Sequence, residues 1–156
     1  MIFDFHSDDP IDLSKLTSLK RFVVHLISTL DDSDLESIDY PTIPWLNEIL
    51  QPKNAPPAGQ QLEEISILLF SYDKNDLLPD LNDTFDILLD NRFKTLKKLN
   101  ISIGSDLEEA NKVVDMLNSS EHMAKLRSQE DMVVDVRGKH DTIQLLGVKD
   151  DIYRRL

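Results

Sequence analysis

Four histidines, no cysteine and 29 acidic residues bound the chemistry open to this 156-residue chain. Without a thiol there is no thiolate nucleophile, no disulfide and no cysteine zinc site. His6 stands among Asp4, Asp8 and Asp9, and imidazole with carboxylates can ligate a divalent cation. Metal ligands ordinarily arrive from separated segments with an orienting layer of hydrogen bonds behind them, whereas acidic termini are commonly solvated. The segment is therefore read as a solvated terminus, with no metal site. His25, His122 and His140 have no marked nucleophile beside them, and Ser or Thr with His and Asp recur by chance in so aspartate-rich a chain. The acidic run Asp31, Asp32, Asp34 and Glu36 lacks the glycine and terminal bidentate Glu of a calcium-binding loop. Gly59, Gly104, Gly138 and Gly147 are isolated, so no glycine-rich nucleotide turn follows a strand. Trp45, beside Leu46 at a helix start, reads as core packing. These residues imply no cofactor, and the chain is read as a non-enzyme.

Charge narrows the partners. Lys and Arg total 17, so the net charge is −12, the wrong sign for counterion-driven binding to a phosphate backbone. The basic spots Lys94, Lys97, Lys98 and Arg154, Arg155 are small within that field. Met1 to Asp9 has neither the basic nor the apolar region of a signal peptide. The longest aliphatic or aromatic run, Ile67 to Phe70, is far short of the roughly 20 residues that cross a bilayer. No nucleic acid and no membrane are the resulting expectations, and the cytoplasm is the expected compartment, with the nucleus as the alternative.

The elements that position these side chains follow from a repeat. Leu19, Phe22, Val24 and Leu26 are spaced as Leu62, Ile65, Ile67 and Leu69 are, and again as Leu96, Leu99, Ile101 and Ile103. After the opening leucine the apolar residues alternate with period 2, which predicts strands with one face in a core. Met132, Val134, Val136 and Gly138 form a looser fourth copy without the leading leucine. Thr42 with Pro44 opens a helix toward Leu50. Asn82 or Asp83 is read as the cap of a short helix over Phe85 to Leu89, and Tyr72 to Asp76 with Pro79 as a polar, turn-rich loop. Ser105 with Glu108 begins a capping-box pattern whose apolar stripe runs through Val113, Val114, Met116 and Leu117 and restarts at Met123 and Leu126.

Phrase starts at Leu19, Leu62 and Leu96 leave intervals of 43 and 34 residues, long enough for helical crossovers between parallel strands. The chain, with 51 Leu, Ile, Val and Phe, is read as one α/β domain over 1–156, with a parallel sheet of three to four strands. Stacked repetition of one unit is preferred to a doubly wound sheet, because each unit needs its neighbour to bury its apolar face. The apolar tail Asp141 to Leu156 is assigned as a C-terminal cap.

Several phrases together resemble the C-terminal repeat region of fungal F-box-like leucine-rich-repeat proteins. They are Pro10 to Phe22, Pro44 to Leu50, Leu62 to Ile67, and Phe85 to Leu99, in which Arg92, Phe93, Leu96 and Leu99 match a phrase that closes one repeat and opens the next. The likeness spans about Pro10 to Gly138; an F-box segment and the asparagine ladder of regular leucine-rich repeats are not found. The resemblance implies a short leucine-rich-repeat-like solenoid acting as a substrate-recognition or scaffold module for a protein partner.

Aligning the leucines puts Arg21, Glu64 and Lys98 in one outward row, Val23, Ser66 and Asn100 in the next, then His25, Leu68 and Ser102, with Phe70 a step further. Alternating charges in the first row support register at roughly 0.2–1 kcal/mol per pair. Val23, Leu68 and Phe70 make the face less polar than a freely solvated sheet. It is covered by a partner or by another part of the chain. The candidate interaction surface is thus Arg21, Val23, His25, Glu64, Leu68, Phe70 and Lys98, with self-pairing into a homodimer as one use of it. The competing class is a small parallel α/β enzyme or ligand-binding domain with its site at the strand carboxyl ends, near Ser71 to Asp76 and Gly104 to Asp106.

Overall fold

The computed structural model describes residues 18–27, 42–51, 62–70, 74–105 and 107–138. The three leucine phrases form β1 (Arg21–Ile27), β2 (Glu64–Phe70) and β3 (Lys98–Gly104), and the looser copy forms β4 (Val133–Gly138). All four are parallel and pair in sequence order, β1-β2-β3-β4. Their register is the one the phrase predicts: Arg21 opposes Glu64, which opposes Lys98, and Phe22, Ile65 and Leu99 follow in line. A one-residue slip would turn every apolar side chain to the other face, so the buried row holds the register.

The strand entrances repeat at the level of single bonds. Lys20 O accepts from the N–H groups of Glu63 (2.8 Å) and Glu64 (3.0 Å), and Glu63 O accepts from those of Lys97 (2.9 Å) and Lys98 (3.1 Å). At the fourth strand only Val133 N–H donates to Lys97 O, at 2.8 Å, while Met132 N–H turns back to Gln129 O. Met132 is nonetheless buried in the core cluster beside the leading leucines Leu62 and Leu96. The place of the missing leucine is therefore filled by a methionine one residue later, relative to the register, than the phrase would have it.

Between the strands run α1 (Ile43–Leu50), α2 (Lys74–Leu88), α3 (Leu107–Asn118) and α4 (Glu121–Arg127). Thr42 caps α1, its Oγ1 accepting from Trp45 N–H at 3.3 Å, and Pro44 sits in the first turn, where a backbone donor is dispensable. Ser120 caps α4 and splits the apolar stripe into two helices, Met123 N–H donating to its Oγ. Buried residues of every helix join one cluster with Phe22, Val24, Leu26, Ile65, Ile67, Leu69, Leu99, Ile101 and Ile103. Those are the alternate residues of β1 to β3, so the four helices lie on one face of the sheet. Trp45 is half-buried against the same cluster.

One local expectation is corrected. Of the segment Tyr72 to Asp76 with Pro79, read as loop, residues 74–76 and Pro79 belong to the 15-residue α2, and Asn82 and Asp83 are interior positions, not caps. An interior proline costs roughly 3 kcal/mol. Against it, Leu77, Leu81, Phe85 and Leu88 are all fully buried on one helical stripe, and burying a large apolar side chain contributes roughly 1.5–3 kcal/mol each. Four such residues outweigh one proline.

Polar clamps tie α2 to its neighbours. Thr84 Oγ1, 0% exposed, donates to Asn47 Oδ1 at 2.6 Å, and Asn47 Nδ2 donates to Asp80 O at 3.1 Å. Ser120 Oγ donates to Asn82 Oδ1 at 2.9 Å, and His122 Nδ1 lies 2.7 Å from Asp86 Oδ1. Asn82, assigned a capping role from the sequence, instead receives the hydroxyl that caps a different helix.

Candidate interaction surface

The sheet face turned away from the helices carries the outward residues of each strand. Four rows cross it: Arg21, Glu64, Lys98 and Val133; Val23, Ser66, Asn100 and Asp135; His25, Leu68, Ser102 and Arg137; and Ile27, Phe70 and Gly104. The structure thus brings together all seven candidate residues, and β4 extends three of the rows. The side chains of Ile27 and Phe70 lie outside the description, and these two are placed by backbone register alone.

Glu64 organises the first two rows. Its Oε1 lies 3.4 Å from Arg21 Nε and accepts from Asn100 Nδ2 at 2.8 Å and Ser66 Oγ at 3.4 Å. Asn100 Nδ2 also reaches Ser66 Oγ at 3.0 Å. Charge alternation holds between Arg21 and Glu64 only, because Asn100 takes the side of Glu64 that Lys98 was expected to fill; among the described residues Lys98 makes no ion pair. At the far edge Arg137 pairs with Asp135 on its own strand.

Exposure separates a floor from a rim. Leu68 is 2% exposed and Asn100 5%, and Ser102 is buried with them, although all three face away from the helical core. Leu68 is therefore not open apolar surface. Asn100 Oδ1 is buried without a hydrogen-bond partner. Arg21, His25 and Arg137 are exposed, Val23, Glu64 and Lys98 are half-buried, and Val133, at 59%, is the exposed large apolar residue of the described chain. His25 is exposed by area, yet the atoms crowding its ring desolvate it and push its pKa below the usual histidine value.

The strand ends differ in kind. A cleft of about 240 Å³ opens at the amino ends of β3 and β4, between the Asp90–Lys94 turn and Gln129–Met132. Parallel α/β sheets usually place ligand sites at the carboxyl ends. Of the residues named there from the sequence, Ser71, Tyr72, Asp73 and Asp106 lie outside the description. So do the His6 cluster, the acidic run from Asp31, His140, the Arg154 and Arg155 spot, and the tail assigned as a cap. Among the described residues no three His, Asp or Glu side chains converge as metal ligands, and no helix is long and apolar enough to cross a membrane. His122 meets the carboxylate of Asp86, a contact between neighbouring helices that sequence spacing alone does not announce.

The described chain is an α/β protein with a four-stranded parallel sheet covered by helices on one face. Comparison with protein-family models, with curated proteins and with solved structures finds no match.

Proposed function

We propose that this chain is a non-enzymatic protein-interaction module, a short leucine-rich-repeat-like coil that meets a protein partner through its outward sheet face. The observation that carries the reading is the in-register sheet in plain sequence order with all helices on one side. Such an arrangement leaves the other face without a described element and has no reversal of strand order, the feature that creates a ligand crevice in doubly wound sheets. Repeated units that bury a core only against neighbours, with a broad face left over, are the usual architecture of recognition surfaces. Kinship with F-box-like leucine-rich-repeat proteins, in a scaffold or substrate-recognition role, is part of the same proposal and rests on the residue phrases alone.

The accessible contacts are Arg21, His25, Lys98 and Val133, with Val23 between them. The test is a pull-down that compares the parent chain with the double variant Lys98→Glu, Val133→Ser, with the ubiquitin-ligase adaptor probed by blot and other captured proteins by mass spectrometry. Neither position is buried, so the melting curve should stay unchanged while specific capture falls at least about tenfold, the size of about 1.4 kcal/mol at an interface. Equal capture by both forms would remove this face from the function.

A further inference from the structure

The cleft at the amino ends of β3 and β4 differs in chemistry from the sheet face. Its floor is apolar: Phe93, Leu96 and Met132 are buried beneath it. Its walls are hydrogen-bonded turns. Phe93 N–H donates to Asp90 O at 2.9 Å and Leu96 N–H to Phe93 O at 2.8 Å on one side, and Met132 N–H donates to Gln129 O at 3.2 Å on the other. A concavity with walls fixed in this way loses little freedom when it is filled.

The rim is acidic. Glu130 and Asp131 are exposed on one lip and make no ion pair among the described residues. Asp90 on the other lip is held by Arg92, whose backbone N–H and guanidinium both lie 2.9 Å from its Oδ1 and keep its pKa below the ordinary carboxylate value. Lys94 is the one cation lining the cleft. With Asp90 already paired to Arg92, the uncompensated charge on the lining is two carboxylates, Glu130 and Asp131, against one ammonium, and on a chain of net charge −12 that lip draws a cation and repels an anion. At about 240 Å³ the space falls below the roughly 300–1,000 Å³ of pockets for drug-sized molecules. It suits a single long side chain, whose methylene stem lies on the apolar floor while the charged head stays at the rim.

We propose that this cleft receives an arginine side chain from a basic segment of a protein partner, with its stem over Phe93 and Met132 and its guanidinium between Glu130 and Asp131. Arginine is favoured over lysine because its planar fork can engage two carboxylates at once. The proposal takes from the preceding section only that the partner is a protein, and it concerns a different surface from the sheet face.

The experiment follows the backbone amide resonances of the full isotope-labelled chain during titration with N-acetyl-arginine methylamide. The control is N-acetyl-citrulline methylamide, which has nearly the same shape without the charge. Saturable shifts confined to the amides of residues 90–96 and 128–133, with a dissociation constant on the order of 1 mM, are the expected result. The citrulline probe should bind about tenfold more weakly, and the variant Glu130→Gln, Asp131→Asn should lose arginine binding to the same extent. Both changes are at exposed positions, so the fold is retained. Absence of saturable shifts, equal binding of the two probes, or full binding by the variant each overturns the assignment. The variant Val23→Ser, His25→Gln, on β1 of the sheet face and outside the lining of the cleft, should titrate as the parent does, so failure of the cleft and failure of the sheet face are told apart.

Discussion

His25 projects from the outward side of β1 in the row shared with Leu68 and Ser102, and its crowding has a thermodynamic sign. Desolvation disfavours the imidazolium, so the folded-state pKa lies below that of the unfolded chain. As pH falls past about 6.5, the unfolded state takes up the proton first. Stability is therefore lost through the window between the unfolded pKa and the lowered folded one, and above that window His25 contributes no pH dependence. Replacing His25 by Gln removes this term and leaves every other titrating group in place. Thermal melts at about pH 7.5 and about pH 5.5 should show a smaller acid-induced drop in melting temperature for His25→Gln than for the parent. An equal or larger drop in the variant would show that its surroundings do not disfavour the charged ring. Thr84 shows the opposite strategy for a polar group within the helix layer. It is buried outright, but its hydroxyl is committed to Asn47 Oδ1 and Asp80 O, so the desolvation cost is met by hydrogen bonds that fix α1 against α2.

Among the helices, α2 is held against its own sequence. Pro79 lies beyond the first turn, where its missing N–H deletes a helical bond and its ring crowds the carbonyl one turn earlier, yet the stripe of Leu77, Leu81, Phe85 and Leu88 keeps the segment helical. Because Pro79 is exposed, Pro79→Ala disturbs no core contact. It restores a donor and gives back some unfolded-state entropy, the second effect costing about 0.4–1 kcal/mol. The net result should be a gain of about 2–2.6 kcal/mol in unfolding free energy by urea titration; a loss would mean that the proline ring orders the start of α2. The same element marks where the sequence stops being legible. β1 to β3 could be read because a leading leucine and period-2 alternation are local signals, and repetition of one phrase fixed the register. At α2 the proline was a strong local signal for a break, while the countervailing signal, leucines at 77 and 81, acts through burial against distant chain. The outward rows were readable for the same reason as the strands. The capture of Glu64 by Asn100 and the cleft before β3 and β4 were not, since each depends on which segments meet in space.

Across the whole molecule, short-range attraction works against long-range repulsion. The chain carries a net charge of −12, and such an excess disfavours any compact state. The ion pairs that oppose it are mostly at the surface: Lys20 with Glu63 at 3.3 Å, Lys112 with Glu108 at 2.7 Å and Lys125 with Glu121 at 3.5 Å. Pairs of this kind are worth roughly 0–1 kcal/mol each, and salt weakens them together with the repulsion. Stability rests instead on the continuous apolar layer between the inward rows of the sheet and the four helices, a term that simple salt does not screen. Repulsion among unpaired carboxylates reaches across the surface, whereas the pairs act at contact, so screening removes more of the unfavourable term than of the favourable one. Raising sodium chloride from low ionic strength to about 0.5 M, where the Debye length falls to about 4 Å, should therefore raise the melting temperature measured by calorimetry. Potassium chloride should do the same, because the effect is screening and not ion binding. A melting temperature that fell with either salt would shift the weight from the buried layer to the surface pairs, and would make charge pairing the main support of the fold.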